Sequence, residues 1–317
     1  MLMPKAYCLM PSPAMPTLIA YLKLFRLPLV FTAIADSAAG YMVRRFYFPS
    51  ALVMLCLAAA SAGLYAFGMG MNDIADRERD KTLAPGRPLP SGRVSIVGAL
   101  RACFGILAVS AVAILLARYV WHREIWWERQ GEPSPLRLLC WIGAVATILC
   151  YDFLYKVPPV MGAVRALNFL MGYFVAETSV QDVTAGYFPG PELAFAPFVY
   201  GTSLTYISTL EDGPVKPGRV WIGTAGMIAG LAVPCILPKQ ITPALGPAGV
   251  LLLWILWRAT RAVDKKGVML MVRDGVAGFI LLDASIVMST GKVVEGTVLA
   301  ALLIPAFGLM QIFKRLP

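Results

Sequence analysis

Residues 70–94 read GMNDIADRERDKTLAPGRPLPSGRV and set Asn72, Asp73, Asp76 and Asp80 at i, i+1, i+4 and i+8. On a continuing helix the three carboxylates line one face about a turn apart and offer several oxygens to a hard cation. Mg²⁺ prefers octahedral oxygen ligands and is usually held by one or two carboxylates together with substrate phosphates. Arg77, Arg79, Lys81, Arg87 and Arg93 lie among or just after the acids. They are suited to the phosphate oxygens that a metal leaves free. An acid face with a basic rim points to Mg²⁺ and a diphosphate. The plainer alternative is a solvated loop whose charges pair with each other and whose excess Lys and Arg set membrane orientation.

Something must hold that loop at a membrane surface. Of the 317 residues 58% are hydrophobic and 15% charged, against about 45–50% and about 25% in an ordinary soluble domain. Apolar stretches long enough to cross a bilayer recur, separated by short clusters of charge, Pro and Gly. Spans are expected at about 24–43, 51–71, 94–118, 136–155, 160–178, 195–211, 220–237, 244–260, 268–290 and 295–313. The expected fold class is all-α, a polytopic membrane helical bundle of nine or ten transmembrane helices. Residues 1–22 form an N-terminal cytoplasmic segment and 23–317 a single transmembrane domain. Runs such as 94–117 do not alternate as the strands of a spanning barrel do. The N-terminus lacks the order of a secretory signal.

Placing the N-terminus inside puts 20 of the 28 Lys and Arg on the inner side, so the loop at 72–93 faces the cytoplasm. The six cysteines are scattered without a CxxC pair, and His122 is the single histidine, which argues against a soft-metal site. The net charge of +10 comes from Lys and Arg beside apolar spans. That reads as membrane topology, with no nucleic-acid partner. The loop at 119–135, with Trp121, Trp126 and Trp127, has the composition of a headgroup-level segment.

The segment MNDIADRERDKTLAPGRPLPSGRVS resembles the first motif of the UbiA-type intramembrane prenyltransferases, NDxxDxxxD followed by RPLPSG. KLFRLPLVFTAIADSAAGYM resembles that family's first span, YDFLYKVP the inner end of its fourth, and VRALNFLMGY its fifth. The resemblance covers about residues 23–215. It implies a helical bundle with a polar cytoplasmic mouth and a lipid-accessible pocket. There a prenyl group passes from a polyisoprenyl diphosphate to a hydrophobic acceptor, with the bilayer holding both. Family members carry a second Asp pair, DxxxD, at the end of the sixth span; here the place reads LTYISTLEDGPVKPGR, with Glu211 and Asp212 adjacent. Adjacent residues point about 100° apart on a helix, so a turn at Gly213 and Pro214 is needed for them to act together. Thr205, Ser208 and Glu211 resemble a less-studied branch that includes EboC.

Together these readings assign Asn72, Asp73, Asp76 and Asp80 to Mg²⁺, with Asp73, Asp76 and Lys156 as catalytic groups. Lys156 and Arg87 neutralise the leaving diphosphate, Glu211 and Asp212 hold a second ion, and Arg165 and Asn168, one turn apart, line the pocket. Asp152 is expected to pair with Lys156 at i,i+4, and Asp36 and Asp283 to be structural. The alternative is a non-catalytic binder or carrier of a lipid or prenyl phosphate, which the altered second motif leaves open.

Overall fold

The computed structural model describes residues 14–44, 50–124, 135–176, 190–237 and 242–315. Trp126, Trp127 and the side chains of Trp121, His122 and Asp212 lie outside what is described. Among the described residues thirteen α-helices run in order: α1 Ala14–Leu24, α2 Val30–Arg44, α3 Ala51–Ala75, α4 Arg77–Leu83, α5 Ile96–Glu124, α6 Leu136–Phe153, α7 Pro158–Val175, α8 Phe195–Ser208, α9 Pro217–Ile236, α10 Leu245–Ala259, α11 Lys265–Ser289, α12 Val293–Ala300 and α13 Leu303–Arg315. The described residues contain no strand.

Each expected span coincides with helix, but by length and apolarity fewer qualify as membrane-crossing. Among the described residues six stretches do, at Ala51–Ala75, Ile96–Val120, Leu136–Phe153, Pro217–Ile236, Thr242–Ala259 and Val293–Lys314. The pair Thr17–Leu24 and Leu27–Arg44, bent by 42°, makes a seventh if it is one span. The shortfall from nine or ten has a physical cause. α7 and α11 carry Arg165, Asp274 and Asp283, and nearly every residue of α11 from Asp274 to Ser289 is buried. A helix enclosed by other helices does not need a lipid-like composition.

Close backbone packing fixes the centre. A Cβ on Gly40 of α2 would meet the Phe169 carbonyl oxygen at 2.0 Å, and one on Gly172 of α7 would meet the Ser37 carbonyl oxygen at 1.8 Å. Only glycine lets α2 and α7 approach so closely. Their contact carries the polar residues of both helices into the interior.

The junction between α1 and α2 places a charge. Pro28 sits in the short turn Leu27–Leu29, and proline both lacks an N–H and biases the residue before it away from helix. Arg26, just ahead, adopts φ 46, the one non-glycine with positive φ among the described residues. Left-handed backbone costs an L-residue about 1–2 kcal/mol, so surrounding contacts must hold it there.

Candidate functional site

The first-motif residues lie where α3 ends. Asp76 has φ −84 and ψ 2 and interrupts the helix between α3 and α4, although its N–H still bonds the Asn72 carbonyl at 2.9 Å. The four side chains consequently separate into two pairs. Asp73 and Asp80, at i and i+7, are both buried, 4% and 5% exposed. Asp73 accepts from Arg26 at 3.1 Å and lies 3.7 Å from the Arg87 guanidinium, which also ion-pairs with Asp80. Asn72 and Asp76 instead share Lys156, whose ammonium donates to Asp76 at 2.5 Å and to Asn72 at 3.4 Å.

The RPLPSG loop aims Arg87 inward because its apolar residues are pinned. Leu89 and Val94 bury against Ala20 and Leu24 of α1 and Ala99 of α5. The Val94 N–H bonds the Pro88 carbonyl at 3.1 Å, and Gly92 takes φ 74, a left-handed turn position that glycine adopts without strain. The other bases have different partners. Arg77 and Lys81 pair with exposed Glu78 at 2.8 and 2.7 Å, and Arg93 donates to Ser91 at 3.0 Å and to the Gly86 carbonyl. Hydrogen bonds from Lys81 and Arg77 hold the Glu78 carboxyl below the usual range. Of the bases that follow the acids in sequence, Arg87 is ion-paired to both Asp73 and Asp80.

No three His, Cys, Asp or Glu side chains converge as a metal cage among the described residues. Two carboxylates nevertheless face one guanidinium at Asp73 and Asp80, and two oxygens face one ammonium at Asn72 and Asp76. Carboxylate and amide oxygens are the hard donors that Mg²⁺ takes together with a substrate's phosphates, and here their present partners are side-chain cations.

Arg26 was not anticipated as a member of the site. Its signal is the basic residue directly before the Leu-Pro of the first span, and the left-handed turn that carries it to Asp73 is invisible to periodicity. The expected Asp152–Lys156 pair does not form, because α6 ends at Phe153 and Lys156 turns to Asp76. Asp152 remains buried, with Oδ2 unbonded.

Arg165 and Asn168 join a separate buried cluster. Arg165 donates to Asp36 at 2.6 Å and to Thr32 at 2.9 Å, and its guanidinium stacks 3.8 Å from the Phe279 ring centre. Asn168 donates to the Ala33 carbonyl at 2.8 Å and accepts from Ser61 at 2.8 Å. Neither bonds a first-motif residue. Glu211 and Asp212 lie in the short helical turn Thr209–Asp212, which leads out through Gly213 to α9. The chain bends at Gly213 and runs irregularly from Pro214, so the tight turn falls on Glu211 and Asp212 themselves and not on the Gly-Pro that follows. An open groove of about 410 Å³ between α6 and α7, lined by Ala146, Thr147, Cys150, Pro159, Val160 and Ala163, shares no residue with the acid–base site.

No family model matches the chain. Similar solved structures cover most of its length. A UbiA homologue from Aeropyrum pernix K1 aligns over 82% of this chain and 97% of its own, at 19% identity and a TM-score of 0.62. A UbiA homologue from Archaeoglobus fulgidus, bound to GPP and Mg²⁺, aligns over 84% and 99%, at 14% identity and 0.55. The chain has the fold of the UbiA homologues. Among curated proteins, digeranylgeranylglyceryl phosphate synthase from Metallosphaera sedula is 31% identical over 102 residues, 32% of this chain. The match spans about a third, 35%, of that relative's length.

Proposed function

We propose that this UbiA-type protein transfers a prenyl group from a polyisoprenyl diphosphate to an aromatic or lipophilic acceptor within the bilayer, in a reaction dependent on Mg²⁺. The observation that carries the reading is the paired grip of Arg87 on Asp73 and Asp80 and of Lys156 on Asn72 and Asp76. Opposite charges are gathered at one end of an apolar bundle, as a donor with a water-loving diphosphate and a lipid-soluble tail requires. The likeness to a homologue bound to GPP and Mg²⁺ supports the same reading.

In this proposal Asn72, Asp73, Asp76 and Asp80 hold the metal with the donor's phosphates. Bound there, Mg²⁺ neutralises the negative charge that grows on the diphosphate as the carbon–oxygen bond breaks. Arg87, Lys156 and Arg26 exchange carboxylate partners for phosphate oxygens and retain the leaving group, which departs with the bonding electron pair. The acceptor forms the new bond to the allylic carbon and releases a proton. Glu211 and Asp212 are the place for a second ion. Arg165 and Asn168 support the helices around the pocket. The mouth faces the cytoplasm at the plasma (inner) membrane, following the excess of basic residues on that side.

A second reading, a non-catalytic binder or carrier of a prenyl phosphate, is favoured by one observation: Glu211 and Asp212 are adjacent in a tight turn, without the spaced pair of the family motif. A radiolabelled prenyl diphosphate incubated with Mg²⁺ and a panel of acceptors separates the two. Metal-dependent transfer that is lost in Asp73→Asn and Asp76→Asn supports the enzyme. Tight metal-dependent binding without transfer to any acceptor supports the carrier, and unchanged donor affinity in both variants removes the metal-site assignment.

A further inference from the structure

Beneath the mouth, α2, α7 and α11 bring together a set of charges that the proposed reaction does not use. Asp36 of α2 and Asp283 of α11 are each 0% exposed and lie within hydrogen-bond reach of each other. Asp36 Oδ2 accepts from Arg165 at 2.6 Å and from Asn168 at 3.3 Å. Its Oδ1 and both oxygens of Asp283 are buried without a hydrogen-bond donor. The neighbouring polar groups include Thr32, Ser61 and Asn168, with the Phe279 ring against the guanidinium and the neutral phenols of Tyr65 and Tyr200 close to Arg165. Among the described residues, Arg165 is therefore the single cation facing two carboxylates.

A net negative charge enclosed by apolar helices is strongly unfavourable, and two adjacent carboxylates cannot both remain ionised there. One monovalent positive charge balances the group. A proton needs no cavity, and it also converts one of two facing acceptors into a donor, supplying the bond that the oxygens lack.

We propose that Asp36 and Asp283 share one bound proton, forming an acid–carboxylate latch that ties α2 to α11 around the Arg165 guanidinium. Asp283 carries the proton and donates it toward Asp36 Oδ1, while Asp36 stays ionised against Arg165. The latch is a proton-binding site separate from the diphosphate mouth.

The test is infrared spectroscopy of the full chain in lipid nanodiscs at neutral pH, together with thermal melting. The expected result is a protonated-carboxyl band in the wild type that Asp283→Asn removes. Asp283→Asn, whose amide can donate to Asp36 in the same place, should melt close to the wild type, and Asp283→Leu several degrees lower. The buried Asp152 is common to both proteins and cancels in their difference. A wild-type spectrum from which Asp283→Asn subtracts no protonated-carboxyl band overturns the proposal. So does a wild-type melting point that rises with Na⁺ or K⁺ at fixed ionic strength and loses that rise in Asp283→Asn, because a metal cation then occupies the place of the proton.

Discussion

Two clusters in this protein use the same residue types to opposite ends. At the mouth, Asp73, Asp76 and Asp80 meet Arg26, Arg87 and Lys156, whose side chains are 36–38% exposed. In the interior, Asp36 and Asp283 meet Arg165, whose side chain is 11% exposed against 0% for Asp36. Water and ions can compete for the first set, so its pairs can open to admit a phosphate. The second set has no such competitor and is held by α2 and α7 at glycine contact. Charge at a protein surface is exchangeable, whereas charge in a membrane interior is architecture.

The largest expected effect breaks the interior. Arg165→Leu leaves Asp36 without its cation and should lower stability by about 3–5 kcal/mol, the range for removing one partner of a buried pair. Thermal melting in detergent, followed by helix content, checks it. If Arg165→Leu folds and melts normally while donor affinity falls, the residue belongs with the mouth and the contrast between the clusters collapses.

Asp73→Asn should do the reverse. Prenyl transfer is expected to fall by about 10²–10³-fold, the scale for losing one charge-stabilising group in a transition state. The melting point should change little, since the amide keeps the volume and can still accept from Arg26. Turnover and melting measured on the same preparation check both halves.

Much of the mouth was legible in the sequence because acids at helical intervals and an adjacent basic loop are local patterns. What was not legible depended on the third dimension. Arg87 takes Asp73 and Asp80 while Lys156 takes Asn72 and Asp76, which divides one expected face into two pairs, and a left-handed residue at position 26 recruits a base from another span. Arg165 and Asn168 are correctly spaced on one face of α7, but spacing cannot say which neighbour that face meets. The approach at Gly40 and Gly172 turns it toward α2 and Asp36. Likewise α7 and α11 read as ordinary spans by position, while their charges reveal helices shielded by protein.

A smaller effect is expected at the second motif. If one ion is held mainly by the first motif, Glu211→Gln and Asp212→Asn should reduce turnover less than Asp73→Asn does. If the turn at Thr209–Asp212 completes a second site, metal bound in the presence of donor should drop from two ions to one in either variant. Equilibrium dialysis with Mn²⁺ in place of Mg²⁺ gives the stoichiometry directly.

The smallest perturbation asks only which water the mouth meets. Ser91 is exposed on the loop that carries Arg87, and its hydroxyl donates to the Pro88 carbonyl at 3.3 Å and accepts from Arg93 at 3.0 Å. A thiol at that position preserves the loop's size and removes no buried contact, so Ser91→Cys should leave turnover within about twofold, as a surface change of under ~0.5 kcal/mol implies. In inside-out vesicles it should react with a membrane-impermeant maleimide, and in intact cells it should not, because the basic residues flanking the loop are retained on the cytoplasmic side. Cys103, 0% exposed, supplies the internal control and should stay unlabelled in both. Reaction of the Ser91 position only from outside intact cells would invert the orientation of the mouth while leaving the contrast between exchangeable and enclosed charge untouched. Labelling of Cys103 at a similar rate would instead show that water reaches past the mouth, and the separation of the two clusters would fail.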